Sequence, residues 1–154
     1  MATKPAPNNR NLSEFLCFAI YSANLAFGKV YKPHLEKLGV TYLQYVAIIS
    51  LWERDDQTVS ELGTQLHLES NTLTPMLKKL ESLGYVKRKR DPSDERQVRI
   101  SLTDKGRRLR ESARSINLAS ATGLSPQEFL DVQKTVVRLR DNLLRASATE
   151  TGES

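Results

Sequence analysis

The densest run of charged side chains lies between Lys87 and Arg114, which holds eleven Lys or Arg against five Asp or Glu. The rest of the chain carries twelve against thirteen, so the net charge of +5 sits almost wholly in that run. A cationic surplus confined to one stretch is the electrostatic footprint of phosphate contact, and its bland alternative is a solvated charge run. Just upstream, Ser70, Asn71, Thr72, Thr74 and Lys78 put short polar groups and an ammonium on one side of a helical pattern, where they can exchange hydrogen bonds with base edges. The single cysteine, Cys17, stands in the apolar run Leu16-Cys17-Phe18-Ala19-Ile20. A thiolate is a nucleophile, but a lone cysteine in such a run is more often an inert small core residue. One cysteine excludes an internal disulfide, and with two histidines it makes no zinc cluster. No metal or other cofactor is expected.

The elements that would position these groups are read between Thr58 and Thr103. Thr58 and Glu61 form a capping box for a first helix to about Leu66, residues 66–70 are too short for anything but a corner, and Ser70 is the expected N-cap of a second helix to Leu83. Leu73, Leu77 and Leu80 recur at helical spacing and face a core. Pro75 deletes one backbone hydrogen bond just past the first turn, so this helix bends there or starts later, and Pro75 is either a tolerated early proline or a base contact. Gly84 supplies a left-handed C′ residue. Lys87-Arg88-Lys89-Arg90 then runs out as a strand, Asp91-Pro92-Ser93-Asp94 is turn chemistry, and Val98, Ile100 and Leu102 alternate with Arg99 and Ser101 on the way back. Two helices with a tight corner followed by a basic hairpin are the pattern of a winged helix-turn-helix, which lays its second helix in the DNA major groove.

The 154 residues suit one ordinary domain. We expect a mainly α fold with a small β-hairpin wing, tails at 1–10 and 147–154, a single domain over 11–146, and within it the winged helix-turn-helix at 41–103 flanked by dimerisation helices at 11–38 and 104–146. Asn11 and Glu14 read as a capping box for a long helix toward Val30, apolar almost all round, with Tyr31-Lys32-Pro33 breaking it. Thr41 and Gln44 cap the next helix. Thr103 caps a helix to about Ala121, and Ser125-Pro126-Gln127-Glu128 starts the last one, whose Phe129, Val132, Val136, Leu139 and Leu143 make a narrow apolar seam. That seam and the apolar first helix together call for a second subunit. With no apolar run long enough for a bilayer and no signal core at the N-terminus, no membrane partner and a cytoplasmic location are expected.

The helix pair, the wing with Asp94-Glu95-Arg96 followed by Val98, Ile100, Leu102, Thr103 and Gly106, and the two long terminal helices together resemble the MarR family of dimeric bacterial transcription regulators over about residues 12–146. Leu16-Cys17-Phe18 with Tyr21, Tyr31-Lys32-Pro33, Gly39 to Tyr45, Leu51-Trp52-Glu53 and Thr72 to Glu81 resemble its organic-hydroperoxide resistance branch, although Glu69-Ser70-Asn71 departs from a more usual Asp-Ser-Gly-like run. The resemblance implies a repressor, a homodimer on a pseudo-palindromic double-stranded operator, that is released when an organic hydroperoxide oxidises Cys17. It further implies that the hydroxyls of Tyr21, Tyr31 and Tyr42 stabilise the thiolate, the last two from the other subunit, and that Ser70, Asn71, Thr72, Thr74, Pro75 and Lys78 read bases. Arg88 and Lys89 would hold phosphate, and Asp94 and Arg96 at the wing tip complete the expected DNA-binding residues, with Arg96 entering the minor groove. Residues 117–121 contain no second cysteine, so the chain resembles the one-cysteine type, in which the sulfenic acid is trapped by a small thiol or oxidised further. An alternative from the same fold is release by a reversibly bound phenolic ligand, with Cys17 merely packed. An enzyme of thiol-peroxidase type is not expected, since half of the chain serves DNA binding.

Overall fold

The computed structural model describes residues 11–114, 116 and 118–150, and the chain divides into two compact units, Met1–Ile116 and Asn117–Ser154. The expected tail at 1–10 and residues 151–154 of the other lie outside the described residues.

In the first unit Asn11 does not cap a helix. Leu12–Glu14 forms a single 3-10 turn in which the Glu14 amide donates to the Asn11 carbonyl at 2.9 Å, and Phe15 then leaves the helical region. Such a turn already satisfies amides that a capping side chain would have taken. Helix α1 therefore spans Leu16–Leu38, and it passes unbroken through Lys32-Pro33 to a left-handed Gly39. Pro33 forfeits one backbone bond, but Lys29, whose carbonyl is freed, is exposed to water that can replace it. As its composition predicts, α1 buries little: Leu35 alone is fully covered, while Leu16, Phe18, Ile20, Leu25, Phe27 and Val30 stay 37–59% exposed.

Helix α2, Tyr42–Glu53, carries the expected capping box, with the Thr41 amide donating to Gln44 Oε1 at 2.9 Å and the Gln44 amide to Thr41 Oγ1 at 3.3 Å. It forms the centre of the unit. Its Ile48 and Leu51 meet Leu62 of α3, Val59–Leu66, and Leu73, Leu77 and Leu80 of α4, Ser70–Ser82, all at 1% exposure or less. Full burial of each such side chain contributes about 1.5–3 kcal/mol. Strands β2, Val86–Arg90, and β3, Val98–Leu102, pair antiparallel as expected, and a further strand, β1, Gln57–Thr58, adds to the far edge of β3. Two residues carry no alternation, so β1 exists only through its partner, with Gln57 opposite Ile100. Gln57 is buried, and its side-chain amide is satisfied by the carbonyls of Arg54 at 2.6 Å and Ser50 at 3.2 Å. Helix α5, Asp104–Ala113, is capped by Thr103 and ends well before Ala121, its exit closed by the Arg114 amide on Glu111 and the Ile116 amide on Ala113. Ser115 and Asn117, expected inside that helix, lie outside the described residues.

The corner between α3 and α4 turns on His67, exposed and left-handed at φ 55°. A non-glycine residue there bears roughly 1–2 kcal/mol of steric cost, which short polar side chains tolerate and β-branched ones do not. His67→Val should accordingly unfold about 1–2 kcal/mol more easily than His67→Asn in chemical denaturation. Equal midpoints would show that the corner relaxes without difficulty.

In the second unit a 3-10 turn, Ser120–Thr122, and left-handed Gly123 precede helix α6, Pro126–Glu150. Its start is the expected box: the Glu128 amide donates to Ser125 Oγ at 3.3 Å and the Ser125 amide to Glu128 Oε2 at 2.8 Å, the latter holding the Glu128 carboxyl below its usual range. Residues 147–150, expected in the tail, continue the helix. Val132, Val136 and Leu143 are 44–61% exposed along it. Among the described residues no helix is long and apolar enough to cross a membrane.

Candidate nucleic-acid interface and thiol site

The α3–corner–α4 unit is held from both ends. Thr58 and Glu61 make their capping box at 2.7 and 3.1 Å, and the corner closes with the Leu68 amide on the Gly63 carbonyl at 3.0 Å. The N-cap of α4 is Glu69 rather than Ser70, because the amides of Thr72 and Leu73 bond to the Glu69 carbonyl; Ser70 is the first helical residue. With Leu73, Leu77 and Leu80 buried, Ser70, Asn71, Thr72, Pro75 and Lys78 are exposed and Thr74 is half-buried, so the predicted reading residues share the outer side. Pro75 neither delays nor ends the helix. Its missing N–H falls on the exposed side, where the Asn71 carbonyl it would have met is free to take another donor.

In the hairpin the register divides the basic run. Val86, Arg88 and Arg90 stand opposite Leu102, Ile100 and Val98, whereas Lys87 and Lys89 stand opposite Ser101 and Arg99. Arg88 therefore projects to the core side, half-buried, with its guanidinium 3.4 Å from the Glu81 carboxylate of α4, while Lys89 points to the other face and is exposed. These two predicted phosphate ligands are thus separated by the period of the strand.

The wing tip is organised by two carboxylates. Asp94 accepts from the Arg96 amide at 3.1 Å, from Arg96 Nε at 3.2 Å and from Gln97 Nε2 at 3.3 Å, and the Arg96 amide first of all holds its carboxyl below the usual range. Arg96 itself is 91% exposed, so Asp94 aims a guanidinium that otherwise stands in water. Asp91, foreseen only as turn chemistry, is buried and accepts from Ser93 Oγ at 2.6 Å, the Ser93 amide at 2.8 Å and Arg99 Nη1 at 3.0 Å; the Ser93 bonds and then Arg99 hold its carboxyl far below the ordinary range. Arg99 also bonds Asp56 at 3.1 Å, and Asp55 takes the Leu102 amide at 2.8 Å and Arg107 at 2.6 Å. Sequence reasoning missed this Asp55, Asp56, Asp91, Arg99 and Arg107 network. Its only signal was an arginine on the outward phase of β3.

The residues expected at the thiol site are split between two places. Cys17 is the second residue of α1 and exposed; the start of α1 at Leu16, later than the expected cap at Asn11, brings it into the first turn of the helix. Tyr21 follows one turn on and is exposed, its ring 6.4 Å from that of Phe18. Tyr31 lies on the same straight helix about 21 Å further along at 1.5 Å per residue, so it cannot approach the sulfur of its own protomer. Instead its ring packs 5.2 Å from that of Tyr42 and 6.3 Å from that of Tyr45. Burial first, then Tyr42 and Tyr45, raise the Tyr31 phenol above its ordinary value, which keeps it a protonated donor. Tyr31 and Tyr42 line an open groove of about 390 Å³ with Asn24, Leu25, Phe27 and Gly28.

The family described as transcriptional regulator SarA/Rot matches residues 29–112. The organic hydroperoxide resistance transcriptional regulator of Bacillus subtilis (strain 168) is 45% identical over 127 residues, 82% of this chain and 86% of that protein. The HTH-type transcriptional regulator TtmR of Methylorubrum extorquens (strain PA1) is 42% identical over 144 residues, 92% of this chain and 74% of that one. Among solved structures, AbfR bound to DNA in its reduced and its overoxidized form is similar at TM-score 0.72 and 39% identity in each case, over 86% of this chain and 93% and 94% of those.

Proposed function

Given that the chain belongs to the MarR-like family of winged-helix transcriptional regulators and is of the organic hydroperoxide resistance type, we propose that it is a homodimeric repressor whose operator affinity is switched by oxidation of Cys17. The observation that carries the proposal is the split thiol site: a phenol pair closed at 5.2 Å in an open apolar groove, out of reach of its own cysteine. A second copy packed on the exposed apolar face of α1 would bring its Cys17 to that pair. The thiolate attacks one peroxide oxygen, the O–O bond breaks, an alcohol leaves and a sulfenic acid forms; a small thiol then condenses with it, releasing water. An apolar groove favours organic hydroperoxides over hydrogen peroxide. Two-fold symmetry sets the α4 helices in major grooves about one turn, ~34 Å, apart or a multiple of it. Ser70, Asn71, Thr72, Thr74, Pro75 and Lys78 then face base edges, Lys89 faces phosphate, and Arg88 reaches it only by leaving Glu81.

The test is operator affinity of the purified protein before and after an organic hydroperoxide, with hydrogen peroxide and a phenolic acid as comparisons. Affinity lost to the organic peroxide first supports the reading. Release by the phenolic acid, with none by peroxide, would turn it into a reversible ligand sensor.

Arg96, aimed by Asp94, enters a narrow minor groove in this arrangement. Arg96→Ala should weaken binding about tenfold on operators with A·T flanks and less on G·C flanks, measured by parallel titrations. An equal loss on every flank reduces Arg96 to a phosphate contact.

A further inference from the structure

Tyr42, Tyr31, Tyr45 and Trp52 make a continuous run of ring contacts, with centroids 5.2, 6.3 and 6.1 Å apart. Tyr42 opens α2 and is 46% exposed on the groove assigned above to the partner's thiol; Trp52 lies in the last turn of the same helix. There the indole Nε1–H donates to the backbone carbonyl of Gly106, in α5, at 3.0 Å. Gly106 is seated against the carbonyl of Tyr85, the residue before β2, with no room for a side chain. The Tyr85 hydroxyl in turn donates to the Leu38 carbonyl at the end of α1, 2.9 Å away. The groove, α2, α5, the wing root and α1 are therefore joined in a ring of direct contacts.

The Gly106 carbonyl already belongs to the helical ladder of α5, so the indole is a second donor to it. What that extra bond adds is orientation of α5 relative to α2. We infer that Trp52 is a positioning residue through which the oxidation state of the thiol site is transmitted to the wing. Resting on the thiol switch proposed above, the inference needs only that an adduct crowding Tyr42 displaces α2 as a rigid body, since packed helices move between discrete arrangements rather than deforming continuously. Displacement of its far end carries α5 and the root of β2 with it.

Trp52→Phe keeps an aromatic ring and removes the N–H. Three quantities are measured on wild type and variant: the rate of Cys17 oxidation by intact mass, the operator Kd of the reduced protein, and the ratio of oxidised to reduced Kd. The first two should stay within about twofold while the ratio falls from ~100-fold to ~10-fold or less. A packing role alone would lower stability and reduced affinity and leave the ratio intact, and a ratio within twofold of wild type overturns the inference. Because Trp52 is the sole tryptophan, its emission in unmodified protein supplies a second reading. It should shift on oxidation and stay constant in peroxide-treated Cys17→Ser, and an unchanged emission in a wild type that does leave its operator overturns the inference whether or not the variant folds. A wild type that oxidises at Cys17 yet stays bound overturns the thiol switch itself.

Discussion

Cys17→Ser should bind the operator within about twofold of the reduced wild type and should not be released by organic hydroperoxide at all. Serine differs from cysteine at one atom, keeps a similar volume and preserves a hydrogen-bonding group for phenols, so the reduced dimer keeps its contacts at this position. What serine cannot do is form a sulfenic acid. For the wild type, a switch that clears a promoter requires a shift of ~100-fold, roughly 2.7 kcal/mol. A thiol adduct forced into a packed subunit boundary is of the right size, since overpacking costs about 1–3 kcal/mol. Operator titrations before and after peroxide check the result, with intact mass reporting the adduct. Release of the serine protein at the wild-type peroxide dose would sink the role given to Cys17.

Gly106→Ala is expected to destabilise the fold by about 3 kcal/mol or more, the upper end for a small-to-large change. A Cβ at this position would overlap the Tyr85 carbonyl oxygen and lie 3.0 Å from Leu102 Cδ2. Neither neighbour is free to give way. The Tyr85 carbonyl accepts from the Thr103 amide at 3.1 Å and its hydroxyl at 3.2 Å, and the same hydroxyl receives the Gly106 amide at 3.0 Å, so the cap of α5 and the wing root form one hydrogen-bonded knot. Leu102 is buried opposite Val86. Chemical denaturation should show a lower midpoint with an unchanged slope. An alanine variant within 1 kcal/mol of wild type would mean that α5 slides freely on the wing root, and the rigid contact on which transmission from Trp52 depends would be absent.

Each of these effects lies at a different distance from what local sequence dictates. The capping boxes at Thr41 with Gln44, Thr58 with Glu61 and Ser125 with Glu128 were all legible, because every bond in them closes within four residues. The buried Leu73, Leu77 and Leu80 and the strand alternation around Ile100 were equally plain, since side-chain direction follows from helical or pleated periodicity alone. Glycine at 84 marked its left-handed turn for the same local reason. Those features delimit a winged helix-turn-helix with an outward polar face on α4.

Tertiary structure decided the remainder. Whether α1 would start at Leu16 and survive Pro33 depended on a competing 3-10 turn and on the exposure of the freed Lys29 carbonyl, and the first of these moved Cys17 into the first turn of its helix. Strand β1 exists because β3 presents an edge to it. The register of β2 on β3 separated Arg88 from Lys89, and the pairing of β3 with both β1 and β2 brought Arg99 between Asp56 and Asp91. Tyr31 stands in α1 and Tyr42, Tyr45 and Trp52 in α2, so Tyr31 meets Tyr42 and Tyr45 only when α1 packs on α2. Local sequence sets backbone direction and the face of each element because those energies are summed over neighbouring residues. Which charged and aromatic groups meet is set by contacts between distant elements, whose free energies appear only once the core of α2, α3 and α4 has closed.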